Sequence, residues 1–334
     1  MIFNFLKGHR ISNLIFVPIL GIVFWVQAFL KPESKLFAFD NVTMPLYDLL
    51  LKVIGDSQFL SNTVAFLLVM LILYLSTRLN KKFMIVETRS YMIAFFLLIM
   101  VSSFLPLLRL HPGLPATVFL LFALEKVFHS YHSERLTTNF FDAAFYISIG
   151  SLFYFSLVYY MLLIWIAIII LRPFNFREFI MVPVGIVLPY LFAWAYYFFM
   201  DDQTLFFDQL ELNFKLINYI SYLNISNYLF YSFIILLTIL ASFHTLRQIG
   251  SRKIGPRKFL RIMFWFFLAG LVLLLFVPSA SLEILPILGI PLAVLFSHYF
   301  DRIRSHLMAN VLITVLILLM IGVYIYPTLI IWLA

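Results

Sequence analysis

Long apolar runs recur along almost the whole sequence. A run of about 20 apolar residues is what an α-helix needs to cross the roughly 30 Å hydrocarbon layer of a membrane. The 334 residues are 64% hydrophobic and only 11% charged, and their mean hydropathy is +1.04. Because a soluble core cannot bury this much apolar surface, the sequence predicts an all-α, polytopic transmembrane helical bundle.

We predict about eleven spans within a single integral membrane domain, residues 1–334. The least certain stretch is 142–171, whose length fits either two short spans or one long tilted helix, and we favour two, with the break near Gly150 and Ser151. The predicted spans begin near Ile11, Leu60, Tyr91, Leu114, Asp142, Val158, Glu178, Tyr228, Ile262, Ile284 and Met308.

Basic residues are distributed unevenly between the two sides of these spans. If the N-terminus is cytoplasmic and the C-terminus external, 18 of the 23 Lys and Arg residues fall in cytoplasmic segments, six of them in the basic loop 247–261. Such a bias is typical of inner-membrane proteins. It predicts a multi-pass protein of the inner (cytoplasmic) membrane and explains the net charge of +8 without nucleic acid. The cations left outside are Lys31, Lys35, Lys52, Arg109 and Lys215.

Two external loops are long enough to contain structure of their own. These are the first and fourth external loops, residues 31–59 and 201–226. In the first, apolar residues from Pro45 to Val53 recur at helical spacing, with Asp48 and Lys52 on the polar face. The second alternates carboxylates with apolar residues. Both patterns predict amphipathic helices that lie on the membrane surface.

The sequence also excludes several kinds of site. It contains no cysteine, so disulfides, thiol nucleophiles and Cys-rich metal centres are absent. It has no phosphate-binding loop, no Rossmann fingerprint and no paired histidines at metal spacing. We therefore expect no cofactor and no metal centre, although carboxylates in an external loop are compatible with a divalent cation.

Five polar residues at the predicted outer face are the candidate site residues. Asp40 and Asp48 follow the first span, and a carboxylate there can act as a general base. Arg109 stands at the outer end of an apolar run, where a guanidinium can bind a phosphate bidentately, with His111 beside it. Glu283 lies in an outer turn between Pro- and Gly-rich spans. The alternatives are a solvated acidic face, a snorkelling arginine and an exposed loop carboxylate.

The order of these features resembles a known superfamily. A first span, an external loop with an acidic residue and a surface helix, and a span pair joined by a basic turn resemble the start of the GT-C glycosyltransferases. The short paired spans at Asp142-Ala-Ala-Phe are similar to the short helices that follow. The resemblance covers about the first 200 residues, or the N-terminal two-thirds, and implies that Asp40 is catalytic. A second acidic residue, common in that family, is replaced here by Arg109-Leu-His111-Pro.

Two other segments resemble a different group. Leu171-Arg-Pro-Phe-Asn-Phe-Arg-Glu and Pro183-Val-Gly-Ile-Val-Leu-Pro-Tyr are similar to an uncharacterised family of Bacteroidota inner-membrane proteins, a domain of unknown function. This resemblance extends over nearly the whole chain. It implies a membrane location and no particular activity.

Two functional hypotheses follow, both within envelope biogenesis. In the first, the protein is a GT-C-like glycosyltransferase, or a binder, of a polyprenyl-phosphate-linked glycan at the outer face. Asp40 would be the catalytic base, and Arg109, His111, Asp48 and Glu283 would bind the substrate. In the second, it is a non-enzymatic membrane subunit or assembly factor of an envelope or secretion complex, and its partners are other envelope proteins. The sequence leaves open whether the protein is an enzyme.

Overall fold

The structure is a computed structural model that describes residues 11–30, 43–86, 91–132, 137–173, 175–215, 224–248, 254–277, 280, 282–303 and 305–333. These residues form α-helices, short 3₁₀ turns and connecting loops, with no strand among them. The helices are α1 (Ile11–Leu30), α2 (Pro45–Ile54), α3 (Gln58–Phe83), α4 (Met92–Val101), α5 (Gly113–His129), α6 (Thr137–Ser151), α7 (Met161–Leu171), α8 (Phe176–Phe199), α9 (Gln203–Lys215), α10 (Ile225–Gln248), α11 (Ile254–Phe276), α12 (Leu285–Arg302) and α13 (His306–Leu333).

Six of these helices are long and apolar enough to cross a membrane: α3, α8, α10, α11, α12 and α13. Three further apolar segments are shorter, at Ile15–Leu30, Met92–Val101 and Phe155–Leu171. The prediction of an all-helical membrane protein is therefore confirmed. Helical structure lies at or near every predicted start of a span, while the number of about eleven spans and their orientation stay predictions.

Polar contacts show which helix ends lie together. Lys126 at the end of α5 binds Asp142 in α6 at 2.7 Å, and Arg172 after α7 donates to the carbonyl of Ser130, next to the end of α5. Lys258 in α11 donates to the last carbonyl of α7. We call this side of the bundle the basic end, because it collects the cations Arg78, Lys81, Lys82, Lys126, Arg172, Arg177, Arg247, Arg257, Lys258 and Arg302.

The same contacts show that the chain reverses direction within 142–171. The start of α6 and the end of α7 both lie at the basic end, so the turn must come between them. It falls at residues 152–154, followed by the 3₁₀ turn Phe155–Tyr160. Two short helical segments, rather than one long helix, therefore occupy this stretch, and the break is adjacent to Gly150 and Ser151.

The core of the bundle is formed by α4 and α12. Every residue of α4 is buried, and so is every residue of α12 from Pro286 to Phe300. Their aromatic rings meet directly, since Phe96 lies 5.6 Å from Phe296 and 5.2 Å from Phe300 between ring centroids. A helix that is apolar on all sides and covered on all sides is enclosed by other helices rather than facing lipid.

Helices occupy both segments where surface helices were predicted. Helix α2 has Pro45 at its start, where a missing N–H costs nothing, and Gly55 at its end with a φ of +67°. It buries Tyr47 and Ile54 and exposes Lys52, whose side chain is 70% exposed. Helix α9 follows α8 at the same side of the bundle. We call this side, away from the cations, the opposite end.

Helices α6 and α8 approach each other closely at a glycine. A Cβ on Gly185 would lie 2.7 Å from the carbonyl oxygen of Phe141 and 2.9 Å from the Cβ of Ala144. One turn along, the Ser148 hydroxyl donates to the carbonyl of Ile186 at 2.6 Å. Small residues at helix contacts permit this spacing in membrane proteins, so the α6–α8 distance depends on Gly185.

We predict that Gly185→Ala destabilises the protein by about 1–3 kcal/mol, because the added methyl group meets backbone atoms that cannot rotate away. Gly322→Ala is the matched control, since a Cβ there meets nothing within 4 Å. That control should be neutral or up to about 1 kcal/mol more stable, because alanine favours helices over glycine. Unfolding in detergent, followed by circular dichroism, measures both, and equal effects would contradict the close α6–α8 contact.

Candidate functional site

The segment between α4 and α5, residues 102–112, is buried but not α-helical, and it contains the 3₁₀ turn Leu105–Leu107. Hydropathy predicted it as part of the third span, but the helix ends at Val101. Every residue of the segment is buried except Arg109, which is partly exposed. Non-helical backbone is tolerated at membrane depth only where protein or a water-filled cavity surrounds it. We call residues 102–112 the buried break.

Pro106 lies within the buried break, in the 3₁₀ turn Leu105–Leu107. Proline has no N–H to donate to the carbonyl four residues earlier, which here belongs to Ser102. The hydroxyl of Tyr324, from α13, donates to that carbonyl instead, at 2.9 Å. The indole N–H of Trp25, from α1, donates to the Ser102 hydroxyl at 3.3 Å. Two helices distant in sequence thus supply donors to Ser102.

Two more aromatic hydroxyls bind the same segment. The hydroxyls of Ser103 and Tyr231, from α10, lie 3.2 Å apart at hydrogen-bond distance. The Tyr47 hydroxyl, from α2, donates to the carbonyl of Leu110 at 3.2 Å. The surface helix α2 is therefore attached to the buried break, and its backbone also contacts the reversal at residue 152 through the bond from Leu46 N to Leu152 O.

Arg109 and His111 have different environments within the buried break. The partly exposed Arg109 is its one cation, whereas His111 is fully buried. An imidazole can both donate and accept a hydrogen bond, so His111 offers a buried polar group beside the Arg109 cation.

The turn that carries Glu283 packs directly against the start of α5. A Cβ on Gly113 would overlap the backbone carbonyl oxygen of Glu283 and lie 3.1 Å from the His111 ring. The structure thus brings the segments of His111 and Glu283 into contact, although they are far apart in sequence. Glu283 is only 2% exposed, so it is not an exposed loop carboxylate.

Of the two acidic residues predicted as site residues in the first external loop, Asp48 lies within the described residues. Asp48 forms an ion pair with Lys52 at 2.8 Å on the polar face of α2. This pairing raises the pKa of Lys52. Asp40 lies outside the described residues. Among the residues that are described, no group of three or more His, Asp or Glu side chains lies close enough to hold a metal ion.

An apolar groove lies at the opposite end, between α8, α9 and the 3₁₀ turn Phe155–Tyr160. Its volume is about 1000 Å³, the upper part of the range of ligand pockets. Helix α9 is held across it at two places, by the bond from the Tyr197 hydroxyl to Gln209 at 3.2 Å and by the Phe155–Phe214 ring contact at 5.7 Å. The groove is lined mainly by Phe155, Val158, Ile186, Val187, Leu191 and Trp194, together with the apolar face of α9.

Sequence reasoning missed both the buried break and the groove. The signal for the break was present, since Ser102 and Ser103 followed by Pro106 interrupt an otherwise apolar run. The hydroxyl donors that complete it come from other helices, and sequence spacing does not reveal them. No local sequence pattern predicts the groove, because the groove is formed by packing α9 across α8.

These features define a polytopic α-helical membrane protein with a buried break between two helices and an apolar groove. Residues 26–331 match the model of a family of unknown function, DUF6427, and the chain belongs to that family. No curated protein and no solved structure matches significantly. The expectation of an uncharacterised membrane family is thus confirmed at the level of a family of unknown function.

We predict that Tyr324→Phe destabilises the protein by about 1 kcal/mol, because it leaves the buried Ser102 carbonyl without its donor. Tyr74→Phe is the control, since Tyr74 is largely exposed on α3 and its hydroxyl is not needed inside the bundle. The measurement is unfolding by titration with a denaturing detergent. Equal stability of the two variants would show that the Tyr324 hydroxyl does not support the break.

Proposed function

We propose that this chain spans the inner membrane about eleven times, with a cytoplasmic N-terminus and the opposite end facing outward. The cluster of cations at the basic end supports this orientation, because cytoplasmic segments are enriched in Lys and Arg. At the opposite end the described cations are few, notably Lys52 and Arg109. The short helices α4 to α7 are proposed as spans because the surrounding bundle covers them.

We predict that a cysteine at position 52 is labelled from outside and one at position 177 is not. The chain has no native cysteine, so Lys52→Cys and Arg177→Cys each introduce a single target, and both positions are exposed. Intact cells would be treated with a membrane-impermeant maleimide, before and after permeabilisation. Labelling only at position 177 in intact cells would reverse the proposed orientation.

At the outer face, we propose that the protein acts in envelope biogenesis by holding a polyprenyl-phosphate-linked glycan. The apolar groove beneath α9 is the observation that carries this proposal, since a long isoprenoid chain is apolar and the groove is lined mainly by aromatic and aliphatic side chains. Arg109 is assigned the phosphate, because a guanidinium binds phosphate bidentately. His111 and Glu283, both buried, are assigned positioning roles beside Arg109. Asp48 is assigned a place at the outer edge of the proposed substrate site.

We predict that Val187→Trp weakens binding of a long-chain polyprenyl phosphate about tenfold, or about 1.4 kcal/mol, by filling the groove. Val184→Trp is the matched control on the same helix. The two valines are similarly exposed, 51% and 48%, but only Val187 lines the groove. Binding would be measured by native mass spectrometry of the purified protein. Equal affinities for the two variants would exclude the groove as the site.

Asp40→Asn distinguishes an enzyme from a binder. If Asp40 is the catalytic base, the variant should lose surface polysaccharide in cells while still binding the polyprenyl phosphate, and Arg109→Ala should lose both. Unchanged polysaccharide in both variants would contradict the glycan-directed function. In that case the alternative of a non-enzymatic subunit gains support, and co-purification of envelope proteins in mild detergent is its test.

A further inference from the structure

A second cavity lies at the basic end, away from the groove and the buried break. It is enclosed by the ends of α3 and α5 and the first turns of α6, and its volume is about 390 Å³. Arg78 and Lys82 reach it from α3, and Lys126 reaches it from α5. None of the roles proposed for the opposite end involves these residues.

The cavity carries more positive than negative charge. Lys82 binds Glu125 at 2.7 Å, and the Arg78 guanidinium is 3.8 Å from the same carboxylate oxygen. Lys126 is paired with Asp142 at 2.7 Å. Glu125 and Asp142 therefore balance two of the three Lys and Arg side chains that line the cavity. One positive charge is left over in a partly enclosed site, where electrostatic attraction is stronger than in bulk water.

A buried side-chain amide also lines the cavity. Asn139, in the first turn of α6, is only 5% exposed, and among the described residues its Nδ2 has no hydrogen-bond partner. Asn139 lines the cavity. A buried donor without a partner is energetically unfavourable, so an acceptor from a ligand in the cavity would stabilise this arrangement.

The inner wall of the cavity is aromatic. The rings of Phe122 and Tyr146 both line it and lie 5.7 Å apart. The cavity is thus lined by charged side chains, a buried amide donor and aromatic rings. This combination suits a ligand that presents an anionic oxygen group next to an apolar body.

We propose that this cavity binds a phosphate group, with Asn139 Nδ2 and the Arg78 guanidinium as donors. Arginine is suited to this role because its planar fork matches phosphate oxygens, and Arg78 is about half exposed. The phosphate belongs either to the headgroup of an anionic phospholipid or to a soluble phosphorylated compound that enters from the basic end. The proposal does not depend on the function assigned to the groove.

The test uses the full-length protein in nanodiscs of phosphatidylcholine. Two probes are titrated separately, inorganic pyrophosphate and dihexanoyl phosphatidylglycerol, with dihexanoyl phosphatidylcholine as the neutral control, and binding is measured by microscale thermophoresis. The wild type should bind at least one anionic probe. Asn139→Leu and Arg78→Ala should each weaken that binding about tenfold, equivalent to about 1.4 kcal/mol. Arg177→Ala, which removes an exposed cation at the same end but outside the cavity, should leave it unchanged.

The binding results distinguish a lipid headgroup from a soluble phosphorylated compound, and they can also contradict the proposal. Binding of pyrophosphate indicates a soluble phosphorylated ligand, and binding of phosphatidylglycerol alone indicates a lipid headgroup. If neither anionic probe binds, or if Arg177→Ala weakens binding as much as the two cavity variants, the proposal is wrong. Arg78 is on the surface, so its variant remains informative even if Asn139→Leu fails to fold.

Discussion

The buried break, beginning at the backbone carbonyl of Ser102, is bound by side chains from four other helices of the bundle. Pro106 cannot donate to this carbonyl, which takes its hydrogen bond from the Tyr324 hydroxyl instead. In a bilayer no water replaces a missing donor, and the surrounding helices must therefore stay close to the break. Trp25, Tyr231 and Tyr47 bind neighbouring groups in the same segment, which ties α1, α10, α13 and the surface helix α2 to one place.

This arrangement accounts for the different character of the two ends of the bundle. At the opposite end, α2 covers the buried break, and α9 crosses the groove beside the chain reversal. Arg109 is the one residue of the break that reaches partial exposure, which is why the proposed phosphate role falls to it. At the basic end, helix termini and ion pairs enclose a smaller, polar cavity. Cations at the C-terminal ends of α3 and α5 are also favoured by the helix dipoles.

Sequence reasoning predicted the helices whose signal is local. Apolar runs of about 20 residues identified α3, α8 and α10 to α13, and amphipathic spacing identified α2 and α9. Sequence reasoning failed between Val101 and Gly113, because Phe104-Leu-Pro-Leu-Leu is as apolar as a continuing helix. Hydropathy does not indicate where a backbone hydrogen bond is missing. Arg109 and Glu283 were chosen from sequence as isolated charges, but the contact between their segments depends on Gly113, whose role only tertiary packing reveals. Asn139 gave no signal because nothing in its local sequence indicates burial.

Residues 102–112 form a fixed, buried segment rather than a mobile loop. Hydrogen–deuterium exchange of the protein in nanodiscs measures this directly. We expect the amides of Ser102, Leu107 and Leu108, which are hydrogen-bonded within the break and its flanking helix, to exchange as slowly as those of the core helix α12. Exchange of these amides as fast as in the exposed turn at residues 56–57 would show instead that the segment is mobile.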